Sequence, residues 1–129
     1  MNSVDTNVIV RLLTGDDPEQ SEKARAVIKR PDTFLAETVM LETEWVLRHA
    51  YRFETTAIHG AFFKLCGLHN VILPNAHRMQ MALQWYADGM DFGNALHLAA
   101  SQACGTFFSF DRKLIRKAEG RSQCKVKEP

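Results

Sequence analysis

The sequence predicts an α/β fold in which helices cover both faces of a parallel sheet. Short apolar segments typical of strands alternate along the chain with longer helical patterns, and this alternation is typical of parallel sheets. Acidic residues follow at least two of the predicted strands directly. The chain has 129 residues, of which 46% are hydrophobic, enough for one proper core. We therefore expect a single domain spanning residues 1–129.

The first predicted element is a strand over Met1–Val4, followed by the polar run Asp5-Thr6-Asn7. Asp5 would lie at the carboxyl end of this strand, where open α/β sheets bind their ligands. A carboxylate buried there is costly unless a cation, hydrogen-bond donors or a proton compensate it. The alternative is a capping role, because Asp, Thr and Asn all cap helices well and a short helix is predicted over Asn7–Leu13.

The next elements alternate in the same way. Asp17 caps a helix over Pro18–Lys29, in which the proline suits the first helical position. Strands are predicted at Phe34–Ala36 and Asn70–Leu73, and helices at Thr38–Tyr51, Thr55–Gly67 and Pro74–Asp88. In the last part of the chain we predict a helix from Asp91 through Ala103, a strand over Thr106–Phe110, a short basic helix from Arg112 and an edge strand at Val126.

Two glutamates on the helix over Thr38–Tyr51 have different predicted roles. At 100° per residue, Glu42 lies between Trp45 and Val46 on a side expected to face the core. Glu44 lies on another side, four residues before Arg48, the spacing of an ordinary surface ion pair. Glu44 therefore needs no function. Glu42 is a functional candidate, unless it borders the core and reaches water or pairs with a basic residue.

Three polar residues in the second half of the chain add to the candidates. Asp91 and Asn94 are three residues apart and share the first turn of a predicted helix, where Asp91 could simply be its cap. Asp111 follows the most strand-like segment and precedes a helix, as Asp5 does. In a parallel sheet, Asp5 and Asp111 would reach one edge, and Glu42 with the Asp91 pair would arrive there from helices.

Several carboxylates that converge within a few ångström cannot all stay ionised without a divalent cation. Oxygen ligands with no Cys or His cluster favour Mg²⁺ or Mn²⁺ over zinc. Such a site next to basic residues suits phosphodiester hydrolysis, because a metal neutralises the phosphate and activates water. The sequence therefore predicts a metal-dependent phosphodiesterase chemistry.

Charge and cysteine content set the expected partners and compartment. The formal net charge is only +1, so a polyanion must meet a local patch. The one obvious patch is the basic run after Asp111, although such runs are usually solvated faces. Its candidate RNA-binding residues are Arg112, Lys113, Arg116 and Lys117. Three widely spaced cysteines, no secretory signal and no membrane-length apolar run favour a cytoplasmic protein with free thiols.

Four blocks of the sequence resemble, in order, the signature blocks of PIN-domain nucleases. They are Asp5-Thr6-Asn7, Glu42 followed by Trp45-Val46-Leu47, Asp91-Phe92-Gly93-Asn94-Ala95-Leu96-His97, and Phe110-Asp111-Arg112-Lys113-Leu114. The resemblance covers essentially the whole chain. The four blocks are most similar to those of the VapC-type toxins of bacterial toxin–antitoxin pairs.

The resemblance implies a three-layer α/β/α sandwich around a mainly parallel sheet, often homodimeric. It also implies an endoribonuclease that uses Mg²⁺ or Mn²⁺ and is blocked by a cognate antitoxin protein, with operator DNA bound only through the antitoxin complex. The implied catalytic set is Asp5, Glu42, Asp91, Asn94 and Asp111. Within it, Asp5, Asp91, Asn94 and Asp111 would bind metal, Glu42 would be a further ligand or orient the attacking water, and Thr6 and Asn7 would support the acidic cluster by hydrogen bonding.

The third block departs from the family pattern at one position. Relatives usually have an acid immediately before the alanine, and this chain has Asn94 there. An amide can offer a carbonyl oxygen, but it brings no charge and cannot act as a base. The main alternative is therefore an inactive PIN domain that serves as a binding module in a protein–DNA regulatory complex. An aspartyl phosphotransferase fits less well, because such enzymes need an acid where this chain has Asn7.

Overall fold

A computed structural model describes the whole chain, Met1–Pro129. It contains seven helices and five short strands, and every strand pair is parallel, which confirms the predicted α/β class. The chain divides into two compact units, Met1–Ala76 and His77–Pro129. The two units are described separately below.

The first unit contains a three-stranded parallel sheet and four helices. The strands are β1 (Asn2–Ser3), β2 (Thr33–Phe34) and β3 (Val71–Ile72), in the order β1-β2-β3. The helices are α1 (Thr6–Thr14), α2 (Pro18–Ile28), α3 (Glu37–His49) and α4 (Thr55–Cys66). Thr33 of β2 is opposite both Asn2 and Val71, so the central strand sets the register.

Local sequence signals explain where these helices begin and end. Gly15 ends α1 with φ of 65°, a left-handed conformation that glycine adopts at little cost. Asp17 caps α2 by accepting a hydrogen bond from the Gln20 backbone N–H at 3.1 Å, as the sequence predicts. The core of the unit consists of fully buried side chains from all of its layers, among them Ile9, Leu35, Met40, Leu47, Ile58 and Phe62.

The second unit contains three helices and a two-stranded parallel sheet. The helices are α5 (Ala76–Ala87, beginning at the unit boundary), α6 (Phe92–Ala100) and α7 (Arg112–Ala118), and the strands are β4 (Thr106–Phe108) and β5 (Lys125–Lys127). In the β4–β5 pair, Phe108 is opposite Lys127. Phe92 is completely buried and packs edge-on against Tyr86, with ring centroids 5.1 Å apart.

The structure differs from the sequence prediction in the extent of pairing. The strands have only two or three residues each, and they form two hydrogen-bonded sheets where one was expected. The strand before Asp5 and the strand before Asp111 thus belong to different sheets. Several boundaries also move: β2 begins at Thr33, α6 ends at Ala100 and β4 ends at Phe108. Strands this short leave few ladder hydrogen bonds, so apolar pattern alone defines their ends poorly.

None of the helices combines the length and apolar character needed to cross a membrane.

Candidate functional site

Each of the three candidate aspartates is the N-cap of a helix. Asp5 caps α1, with its Oδ1 accepting the Thr6 backbone N–H at 2.8 Å. Asp91 caps α6 and accepts the Asn94 backbone N–H at 3.1 Å, and Asp111 caps α7 and accepts the Leu114 N–H at 3.0 Å. A cap uses one carboxylate oxygen, so it orients the side chain without consuming it. The structure therefore confirms that these aspartates cap helices, and a capping aspartate can still bind a ligand with its other oxygen.

Asp5 and Glu42 are connected through Thr6 in what we call the Thr6 cluster. Thr6 is buried. Its backbone N–H donates to Asp5, and its hydroxyl donates to Oε1 of Glu42. Thr6 thus makes hydrogen bonds to both acids, and its support of a metal site stays a prediction. Asn7 is exposed in the first turn of α1, and its supporting role stays a prediction. Asp5 is itself exposed, so the expectation of a buried carboxylate at this position was wrong.

The burial predicted for the two glutamates of α3 is reversed. Glu42 is exposed, and its neighbour Trp45 is 58% exposed. Glu44 is only 2% exposed and holds Arg48 by two contacts, Nε to Oε2 at 2.7 Å and Nη2 to Oε1 at 3.2 Å. The Arg48 pairing was predicted correctly, but it is largely buried. The signal was available in the stripe that places Met40 and Leu47 in the core, because position 44 lies between them on that side.

Asp91, Asn94 and Asp111 form a second group, which we call the Asn94 cluster. Asn94 is bound to Asp91 through its backbone N–H, and its side-chain Nδ2 donates to Oδ2 of Asp111 at 3.1 Å. The Leu114 backbone N–H, with further help from the Asn94 amide and Lys113, lowers the pKa of the Asp111 carboxyl from its usual value. Asp111 is therefore held as an oriented anion, with one oxygen on the helix and the other on Asn94.

The donor chemistry of the two clusters fits a hard divalent cation. All of the candidate ligands offer oxygen, the carboxylates are exposed, and the caps and Thr6 orient them. Within neither unit do three or more His, Cys, Asp or Glu side chains gather into a group that could hold a metal. Asn94 directs an N–H, rather than an oxygen, toward Asp111. The amide thus donates a hydrogen bond to Asp111. A second carboxylate at this position would instead repel Asp111 unless a cation were bound.

The predicted basic patch needs one correction. Arg112, Lys113 and Arg116 are exposed on α7, as expected. Lys117 is half-buried, and its ammonium donates to the carbonyl of Asp88 at 3.1 Å. Its position one helical turn after Lys113 turns it toward the loop before α6, so its main contact is structural.

Sequence reasoning missed three residues close to Asp111. Ser109 accepts the backbone N–H of Asp111 on its hydroxyl at 3.0 Å and so helps to shape the turn before α7. Phe108 and Phe110 are 58% and 79% exposed, although the strand pattern treated them as ordinary apolar residues. Period-two alternation with Phe107 could have indicated an outward Phe108. Phe110 follows the end of β4, where that alternation no longer applies.

Comparison with known proteins gives one match. The family model described as PIN domain matches residues 3–120, a span that includes both clusters. A search among curated proteins finds no match.

Proposed function

The chain belongs to the PIN domain family, a nuclease fold family whose members generally use divalent metals, and we propose that it is a Mg²⁺- or Mn²⁺-dependent endoribonuclease. The observation that carries the proposal is the state of Asp111. Its carboxylate is kept ionised by the Leu114 N–H and Asn94, and it is exposed to solvent at the start of a basic helix. An oriented, exposed carboxylate beside exposed cations suits a phosphodiester substrate.

The residues of the two clusters have different proposed roles. The family resemblance implies metal ligands at Asp5 in the first unit and at Asp91, Asn94 and Asp111 in the second, with Asn94 the one neutral residue among them. The metal, when bound, neutralises phosphate charge and lowers the pKa of water. Glu42 acts as a further ligand or orients the attacking water, and the Thr6 hydroxyl fixes the direction of its carboxylate. A Glu42 so oriented keeps one oxygen for a proton of that water.

Asn94 removes one negative charge from the site relative to the usual family pattern. We therefore expect cation affinity and cleavage to be weaker than in a form with an acid at this position. The amide bond to Asp111 supports this expectation, because Asn94 already satisfies the oxygen that a cation would otherwise take.

The biological role within this proposal is that of a toxin in a toxin–antitoxin pair. The four sequence blocks support it, since they resemble VapC-type toxins most. The protein would then be a cytoplasmic homodimer, silenced by a cognate antitoxin and bound to operator DNA only through that complex. Growth arrest on expression of an Asn94→Asp form, with no arrest for an Asn94→Asp, Asp5→Asn form, tests this role.

The second candidate is an inactive PIN domain that works as a binding module. The same Asn94–Asp111 hydrogen bond favours it, because the amide occupies an oxygen of Asp111 without a metal. Cleavage of an unstructured RNA separates the two functions. The assay compares this chain with Asn94→Asp in Mg²⁺ or Mn²⁺ and in EDTA.

The proposed function predicts metal-dependent cleavage by the Asn94→Asp form and weaker cleavage by the natural sequence. Cutting by both forms only with metal shows that the amide is tolerated. Absence of cleavage from both forms, on several RNAs, contradicts the nuclease and favours the binding module.

A further inference from the structure

An exposed aromatic and basic surface lies on β4, β5 and the start of α7. We define the Phe108 patch as Phe108, Phe110, Arg112, Lys125 and Lys127. Both phenylalanines are largely exposed, at 58% and 79%, and the three basic residues are exposed as well. All five residues belong to the second unit, so the patch is described within one compact body.

The patch is organised by the pairing of β4 with β5. Phe108 is opposite Lys127, whose ammonium lies 5.6 Å from the centroid of the Phe108 ring. The Ser109 backbone N–H donates to the Lys127 carbonyl at 3.1 Å, which extends the pairing toward Phe110. Arg112 comes directly after Asp111 in the chain, and its Nε lies 3.4 Å from Oε1 of Glu128. A flat ring is thus held beside a cation, with a second ring two residues further along.

From this arrangement we propose that the Phe108 patch is a stacking surface for single-stranded RNA. Bases stack on exposed aromatic rings whatever their identity, and neighbouring Lys and Arg residues track the phosphates. The inference rests on the proposed function and adds a binding surface for its substrate, because Phe110 directly precedes the candidate site residue Asp111 in the chain. A base stacked on Phe110 would therefore lie on the residue next to the Asn94 cluster in the chain.

The composition of the patch favours RNA over a protein partner. Protein interfaces are depleted in lysine at their centres, whereas Lys127 lies opposite Phe108 here and Lys125 lies two residues earlier on the same strand, opposite Thr106. Of the three exposed cations of the patch, Arg112 pairs with Glu128, and Lys125 and Lys127 add positive charge that suits a polyanion. Aromatic rings interleaved with unbalanced basic residues are typical of sequence-tolerant binding to single strands.

The test measures binding of a fluorescent oligoadenylate to the full chain in EDTA, where metal-dependent cleavage cannot interfere. Phe108→Ala and Phe110→Ala should each weaken binding about tenfold, while Phe108→Tyr retains it. Phe63→Ala is the matched control, because Phe63 is 67% exposed on α4 in the other unit and should leave affinity unchanged. The double variant Lys125→Gln, Lys127→Gln should instead flatten the salt dependence, by roughly 0.7 per lost phosphate contact.

Equal affinity of Phe108→Ala, Phe110→Ala and the natural sequence overturns the proposal, as does an equal loss in Phe63→Ala. A change of self-association on sedimentation, with RNA affinity intact, also overturns it and indicates a protein interface. Because binding is measured without metal, its outcome is independent of cleavage. If the Phe variants lose RNA binding and no form cleaves RNA, only the nuclease proposal is rejected. If RNA is cleaved and the Phe variants bind it as the natural sequence does, only the patch proposal is rejected.

Discussion

Replacing Asn94 by Asp should turn a stabilising contact into a repulsive one. Asn94 Nδ2 lies 3.1 Å from Oδ2 of Asp111, and an acid would place a second carboxylate oxygen at that position. Two unit charges at this separation repel by about 1.3 kcal/mol in water and about 5 kcal/mol at an effective dielectric constant of 20. Asn94 is half-buried and Asp111 is exposed, so solvent screening keeps the cost near the lower limit.

With the lost hydrogen bond included, we expect Asn94→Asp to lower the free energy of unfolding by about 2 kcal/mol in EDTA at neutral pH. For a chain of this length that is a fall in Tm of about 6 °C. Asn94→Ala is the matched control, because it removes the hydrogen bond and adds no charge. It should be less destabilised than Asn94→Asp.

The pH dependence of stability should change sign at this site. In the natural chain the Leu114 N–H and Asn94 lower the pKa of Asp111, so its stabilisation is present at neutral pH and lost as pH falls through the folded value. In Asn94→Asp the two carboxylates share a raised apparent pKa. The loss in free energy of unfolding relative to the natural chain is therefore small in acid and grows as pH rises through that pKa.

Thermal unfolding in EDTA, and again with saturating Mn²⁺, measures each of these effects. Mn²⁺ should recover most of the loss in Asn94→Asp, because a bound cation would offset the repulsion of the new carboxylate pair, and should recover little in Asn94→Ala. Equal stability of Asn94→Asp and the natural chain in EDTA, or equal recovery of both variants with Mn²⁺, would refute the reasoning.

Three further predictions concern single side chains. Glu42→Gln should abolish cleavage and leave Tm within a degree or so, whereas Glu44→Gln should cost about 2 kcal/mol in denaturant unfolding, because Glu44 is the buried partner of an ion pair. Asp5→Asn should abolish Mn²⁺ binding in calorimetry. The control is Asp17→Asn, which changes a helix cap outside the two clusters, and equal binding by both variants contradicts the role of Asp5. Burial raises the pKa of the Cys66 thiol to about 11, so iodoacetamide should modify it slowly at pH 8 and faster as pH rises, and rapid labelling at pH 8 would contradict this.

Much of the architecture follows from local sequence signals. The helix cap predicted at Asp17 and the caps weighed at Asp5 and Asp91 are short-range features, and the structure contains all three. Parallel pairing was also predictable, because strands and helices alternate. The four blocks identified the family, which the match over residues 3–120 confirms.

What tertiary structure decided was the environment of individual side chains. Helical spacing did not by itself fix which side of α3 faces the core. We therefore expected burial of Glu42 and exposure of Glu44, and the structure shows the opposite. The Asn94–Asp111 hydrogen bond joins residues 17 positions apart, and the Lys117 contact with Asp88 joins residues 29 apart. Such contacts depend on where two elements meet in space, because a periodic pattern specifies which side of a helix is apolar and not which neighbour that side will touch.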